Sequence, residues 1–202
     1  IDRDAFMVGV RIGKAFKNVM WKPSITLWYD HLSGDDDATD GDNNAFDTLF
    51  DTGHKFYGLQ DRFLAVGRGS GALGTGWRGL NDFAVKLGAK PFKKVSVGAH
   101  IHTFWTAEDN DRSNGGAAAA SAGGTGTFLS GNGVDGDDTH LGEELDLTVA
   151  YAYSPDIKIT AGYSHLWTDD LLDSLNGFNA AAPQSQDNDD QDWAYIMFNV
   201  HF

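Results

Sequence analysis

Apolar and polar residues alternate along seven segments of this chain, and this pattern restricts the possible folds more than any other feature. The segments are residues 4–16, 22–31, 80–90, 95–105, 144–154, 157–167 and 193–202. Successive side chains of an extended strand point to opposite faces of a sheet, so each segment has one apolar and one polar face. The segments contain 10 to 13 residues, and a strand that crosses a bilayer at a tilt needs about 9 to 11. The alternation therefore predicts an all-β, antiparallel transmembrane barrel rather than a helical protein.

The composition agrees with many strands and turns. The chain has 25 glycines, 13 phenylalanines and six tryptophans but only four prolines, a mixture that favours sheets over helix packing. There is no cysteine, so disulfides and thiolate metal sites are excluded. A soluble β-sandwich is the alternative, because its strands also alternate, although they are usually shorter.

The connections between the segments alternate between short and long. The short ones are residues 17–21, 91–94 and 155–156, and the long ones are residues 32–79, 106–143 and 168–190. Outer-membrane barrels have short periplasmic turns and long extracellular loops, so the long connections are expected outside the cell. Acidic residues fill the long connections, whereas lysines lie near the short ones. Residues 54–67 are kept in the first long loop, as a short helix or a strand extension, because an eighth strand there would reverse this order.

The polar faces carry the residues expected to line a pore. These are Arg11, Asp30, Asp82, Lys86, His100, His102, Asp146 and Lys158. They predict a passive outer-membrane channel that selects solutes by pore width and wall charge. The alternative is a structural or partner-binding barrel without an open pore. A net charge of −14 argues against nucleic acid as a partner, because nucleic-acid binding requires a basic face.

The acidic loops offer a candidate calcium site, because closely spaced carboxylates let oxygen ligands converge on the ion. The candidate ligands are Asp35, Asp37, Asp40 and Asp42. His100 and His102 point to one face of a strand and are able to share a metal, but the sequence identifies no third ligand.

The G-x-G-x-x-G motif within residues 67–76 lacks the strand, helix and acidic residue of a dinucleotide site. With no recognisable catalytic set, neither an enzyme nor an organic cofactor is predicted.

Three stretches resemble a known family. They are residues 32–63, which contain FDTLFDTGHKFYG, residues 79–105, and residues 140–167, which contain GEELDL. Together with the closing strand they resemble the C-terminal part of the alginate-export family of outer-membrane proteins. The resemblance implies an antiparallel barrel of about 16 to 18 strands. It also implies passage of solutes or acidic polysaccharide across the outer membrane of a Gram-negative bacterium, among outer-membrane lipid and lipopolysaccharide.

Two features depart from the family pattern. Seven strands are too few for a bacterial barrel, which has an even number from eight upward, so residues 1–202 are expected to be one C-terminal barrel region. An N-terminal segment or a second chain would supply the other strands. Alginate exporters are also associated with a basic lumen, whereas the predicted pore-lining set mixes acids and bases. The final aromatic, Phe202, resembles the C-terminal signal read by the barrel-assembly machinery.

Overall fold

A computed structural model of the chain describes residues 3–36, 42–48, 53–63, 75, 78–109, 138–169, 171 and 190–202. Seven strands lie within this part of the chain. They are β1 (Met7–Ala15), β2 (Ser24–Leu32), β3 (Leu80–Phe92), β4 (Val95–Trp105), β5 (His140–Ala152), β6 (Ile157–Thr168) and β7 (Gln191–Val200). The predicted strands are therefore all present, although β5 begins at His140 rather than at residue 144.

The seven strands form one sheet in the order in which they occur along the chain. Each pairs antiparallel with its neighbour, from β1 with β2 through β6 with β7. This confirms the all-β antiparallel class. It also leaves no second sheet, among the described strands, on which a sandwich could be built. The described residues include no helix of the length and apolarity that a membrane span requires.

The two faces of the sheet reverse the usual arrangement of a soluble protein. The face that we call the outer face carries large apolar side chains in water-accessible positions, among them Val10 (47% exposed), Leu147 (42%) and Ile196 (70%). The opposite, inner face carries buried polar side chains, such as Asp82 and Glu144, which are 0% exposed. An apolar exterior with a polar interior is the arrangement of a barrel wall in lipid.

The apolar core of the described residues lies on the inner face, at the end of the strands that carries the long connections. It contains Leu32, Tyr57, Phe63, Leu80, Phe104, Leu141, Leu166 and Leu171. Tyr57 and Phe63 come from the first long connection and pack against residues of the strands. Residues 53–63, which we call the inner segment, therefore cover part of the inner face.

Candidate functional site

The strand register brings the predicted pore-lining residues to one face of the sheet. Lys86 lies opposite His100, and His100 lies opposite Asp146 on the next strand. Asp30 similarly lies opposite Asp82. The other predicted residues, Arg11, His102 and Lys158, occupy the same face by strand alternation. The wall of a pore remains a prediction for this set, but its shared face follows from the pairing.

Asp30 is the centre of one buried polar group. It accepts a hydrogen bond from Arg11 Nη2 at 2.5 Å and another from the indole nitrogen of Trp28 at 2.9 Å. The Arg11 guanidinium lies over the Trp28 ring, 3.6 Å from its centroid. Asp30 is fully buried, so its charge is compensated by these donors rather than by water.

The bases of the inner face are more accessible than its acids. The Arg11 side chain is 30% exposed while that of Asp30 is 0% exposed. Lys86 is half-buried, with its ammonium 4.2 Å from the Trp28 ring centroid, and Lys158 is exposed. Asp82 and Asp146, by contrast, are buried. The accessible part of this face is therefore positively charged, although the whole chain is acidic.

A second buried group joins strands β3 to β6. His102 Nδ1 lies 2.8 Å from Asp82 Oδ1, and Ser164 donates a hydrogen bond to Asp146 Oδ1. All four side chains are buried. Because an ionised carboxylate only accepts hydrogen bonds, the proton in the first contact belongs to His102 Nδ1.

The inner segment is attached to the wall by one carboxylate. Glu144 Oε1 accepts hydrogen bonds from the backbone N–H groups of Leu59, at 2.7 Å, and of Gln60, at 3.0 Å. Nearby, the ring of Phe63 packs against that of Phe104 with centroids 4.6 Å apart. Polar and apolar contacts therefore attach the inner segment to strands β4 and β5.

The inner segment also reaches the two sides of the sheet. On the β2 side, the rings of Phe56 and Trp28 lie 6.0 Å apart. On the β7 side, His54 stacks on Trp193 with a centroid separation of 4.6 Å. The Gln60 side chain donates a hydrogen bond to the Gln191 carbonyl at 2.9 Å. The inner segment consequently extends across the inner face from β2 to β7.

The expectation of a helix or strand at residues 54–67 is wrong for the part that the structure describes. Residues 54–63 form turns, in which His54, Tyr57 and Asp61 have φ between 58° and 60° and Gly58 has φ of 85°. Such left-handed residues interrupt both helices and strands. At Gly58 a Cβ would collide with the Glu144 carboxylate, so the missing side chain lets the backbone approach its anchor.

Tyr57 places a neutral hydroxyl near the buried acids. Burial is the main reason why its pKa is raised far above the ordinary value, and the negative charges of Asp30 and Asp82 add to the effect. The ring belongs to the apolar core. Tyr57 therefore contributes no charge to the inner face.

The predicted calcium ligands are only partly visible. Asp37 and Asp40 lie outside the described residues, whereas Asp35 is buried and Asp42 is exposed. Other acidic groups lie close together at this end of the sheet. Burial, and then the negative charges of Asp36 and Asp109, raise the pKa of Glu108. Calcium binding there stays a prediction. The G-x-G-x-x-G motif within residues 67–76 also lies outside the described residues.

Sequence reasoning missed Glu144, the anchor of the inner segment. The available signal was its position two residues before Asp146, which places both carboxylates on the inner face. The predicted strand began at residue 144, but the predicted pore-lining set on this strand contained only Asp146. Its partners are backbone groups 84 and 85 positions away in the chain, which no local pattern identifies.

Comparison with known proteins identifies a family for this chain. A family model described as alginate export matches residues 2–180 of the chain. No curated protein matches it significantly. The match covers most of the seven-stranded sheet and confirms the resemblance found in the sequence.

Proposed function

Because this chain belongs to the alginate export family, we propose that it forms part of the wall of an outer-membrane channel for acidic saccharides. The family is one of outer-membrane transport proteins and not of enzymes. On this proposal the chain resides in the outer membrane of a Gram-negative bacterium, with lipid and lipopolysaccharide against its outer face. It catalyses no chemical step.

The difference in accessibility between acids and bases carries this proposal. The carboxylates of Asp30, Asp82 and Asp146 are buried and hydrogen-bonded within the wall. Arg11 and Lys158 keep accessible positive charge on the same face. Fixed cations attract an anionic polymer, and several weak sites along a wall allow it to move on rather than remain bound. The mixed composition of the face is thus compatible with passage of anions.

The inner segment supplies the restriction in width. It is held by Glu144 on one side and by contacts with Trp193 on the other, so it stands in the space that a solute would occupy. A channel of this kind selects by size at the inner segment and by charge along the wall.

Further strands complete the barrel in this proposal. Within the described sheet, β1 and β7 each pair on one side only, and unpaired strand edges are costly in lipid. An N-terminal segment or a second chain is the expected source of the missing strands.

The second candidate function is that of a structural or partner-binding barrel without an open pore, which we call the closed barrel. The observation in its favour is the apolar core on the inner face, where Phe63, Phe104 and Leu166 are 0% exposed. Planar-bilayer recordings of the full-length protein separate the two candidates. Stepwise conductance supports the channel, whereas a protein that inserts without conductance supports the closed barrel.

Neutralising Arg11, Lys86 and Lys158 together, each by glutamine, is expected to move the selectivity of the channel toward cations. The reason is that these side chains carry the accessible positive charge of the inner face. The measurement is the reversal potential under a salt gradient. The Lys86 and Lys158 double variant keeps the Arg11–Asp30 pair and is expected to show a smaller shift in the same direction.

The matched control for this experiment replaces three lysines of the short turns by glutamine, at positions 17, 93 and 94. It has the same change in net charge but leaves the inner face intact, so its reversal potential should stay closer to that of the unmodified protein. Equal shifts in the two triple variants would contradict the assignment of the wall charges.

Replacing Leu147 by arginine tests the lipid contact of the outer face. Leu147 is 42% exposed in the middle of β5, and an arginine near the bilayer midplane costs about 2–4 kcal/mol. We expect a loss of this size in the free energy of unfolding, measured by denaturant titration in phospholipid vesicles. The neighbouring Thr148→Arg change is the control, because Thr148 belongs to the inner face and the arginine there stays away from lipid. Equal losses in the two variants would argue against an outer face in lipid.

A further inference from the structure

Three potential metal ligands converge on the inner face. One ligand atom from each of His100, His102 and Asp146 lies within 4.8 Å of the others. The register explains this proximity, because His100 is directly opposite Asp146 and His102 is two residues further along the same face of β4. Asp146 therefore supplies the third ligand that the sequence of β4 alone does not reveal. Among the described residues, this is the group whose geometry suits a metal.

The hydrogen bonds of His102 leave one nitrogen directed to this group. Its Nδ1 donates to Asp82 Oδ1 at 2.8 Å, so in the neutral imidazole the unprotonated nitrogen is Nε2. This Nε2 atom is buried and has no hydrogen-bond partner in the structure. A carboxylate that holds the far nitrogen of a histidine in this way is the usual support of a metal-binding imidazole, because it fixes the tautomer and the ring orientation.

Asp146, like His102, has one side-chain atom that is hydrogen-bonded and one that is not. Its Oδ1 accepts the Ser164 hydroxyl, while Oδ2 is buried and has no hydrogen-bond partner. The distance between Asp146 Oδ2 and His102 Nε2 is 3.8 Å, which is too long for a hydrogen bond. Two buried polar atoms thus lie close together without a hydrogen bond between them, and an unsatisfied buried polar atom costs free energy unless something binds it.

We propose that His102 Nε2, Asp146 Oδ2 and a ring nitrogen of His100 bind one Zn²⁺ ion. Neutral imidazole and carboxylate are ordinary zinc ligands, and bond lengths of about 2.0–2.2 Å place tetrahedral ligands about 3.3 Å apart. Ligand atoms that lie up to 4.8 Å apart must therefore approach one another by up to about 1.5 Å, and His100 is the half-buried member of the group. A fourth position is left to water, as in zinc sites with three protein ligands.

The surrounding charges bear on the affinity in both directions. Asp82 accepts the hydrogen bond of His102 Nδ1, and its carboxylate beside the group favours a dication. Lys86 disfavours it, because it lies opposite His100. Its ammonium, however, packs on the Trp28 ring of β2, on the far side of β3 from the histidines. The site does not depend on the proposed transport, since it needs only the ligand atoms.

The test is a zinc titration of the full-length protein, purified in detergent without a polyhistidine tag and stripped of metal with a chelator. Isothermal titration calorimetry with Zn²⁺ is expected to show one site that weakens at least about 100-fold in His100→Gln and in His102→Gln. His31→Gln is the matched control, because His31 bonds to Asn81 away from the group and its loss should leave the affinity unchanged. Co²⁺ should give visible absorption of a tetrahedral centre in the unmodified protein and lose it in the two site variants.

Asp82→Asn examines the positioning role of the supporting carboxylate. It keeps a hydrogen-bond acceptor for His102 but removes the charge, so the zinc affinity should fall by about tenfold, at the lower end of the effects known for such residues. Heat-modified migration on gels confirms folding of each variant. If His102→Gln fails to fold, half-buried His100→Gln decides the question. Absence of zinc binding by the unmodified protein, or equal affinity in His100→Gln, overturns the proposal.

Discussion

Replacing Phe63 by alanine is expected to release the inner segment from the wall and to increase the conductance of the channel. The Phe63 ring is 0% exposed and packs against Phe104 within the apolar core. Truncating a buried phenylalanine costs about 3–5 kcal/mol. Because Phe63 belongs to the inner segment and takes no part in strand pairing, most of this cost is expected in the docking equilibrium of the segment rather than in the strand pairing of the sheet.

Release of the segment can be measured by chemical labelling, since the chain has no cysteine. A Leu59→Cys change puts a thiol at a position that is 8% exposed in the docked state. Its labelling by a water-soluble maleimide should accelerate by about two orders of magnitude when Phe63→Ala is added, because each 1.4 kcal/mol corresponds to about tenfold. Single-channel conductance should rise in parallel.

Phe92→Ala is the control for this experiment. Phe92 is 71% exposed at the end of β3, so its truncation removes a ring of the same size without touching the inner segment. Labelling and conductance should then match the background variant. Unchanged labelling in Phe63→Ala would show that the apolar contact does not hold the segment.

Replacing Glu144 by alanine is expected to loosen the same segment through its polar anchor. The change leaves the N–H groups of Leu59 and Gln60 without their acceptor. Each unsatisfied buried donor costs about 1–3 kcal/mol. Hydrogen exchange of these two amides, followed by mass spectrometry of the peptide that contains them, should accelerate strongly.

Glu144→Gln separates hydrogen bonding from charge. A glutamine oxygen can accept the same two hydrogen bonds, so we expect this variant to keep much of the protection that alanine removes. Glu143→Ala is the second control, because Glu143 bonds to His140 in a partly exposed position. Rapid exchange in Glu144→Gln as well as in Glu144→Ala would indicate that charge, and not the two hydrogen bonds, holds the segment.

Alternation was sufficient to predict the strands because their pattern is local. The side chains of β4, for example, point alternately outward and inward, and the sequence VSVGAHIHTFW shows this directly. The predicted start of β5 was later than the observed one because Gly142, with φ of 135°, interrupts the regular alternation between His140 and Glu144.

The candidate site was predictable only in part. Alternation places Asp82, His102 and Asp146 on one face, but it does not say which of them are buried. Burial depends on the inner segment, whose contacts with Glu144 join residues more than 80 positions apart. The proximity of Asp146 to His100 likewise depends on the register between β4 and β5. Both facts are tertiary, so no window of the sequence contains them.

The path of the inner segment has a consequence for the order in which the molecule assembles. Every strand pairs with the next one along the chain, so the sheet can grow by successive hairpins, across alternating short and long connections. The segment is different, because Gln60 bonds to Gln191, 131 positions later, and His54 stacks on Trp193. Those contacts cannot form before β7 has joined the sheet. Docking of residues 53–63 is therefore a late event in folding. A fully docked inner segment requires that all strands up to β7 have already joined the sheet.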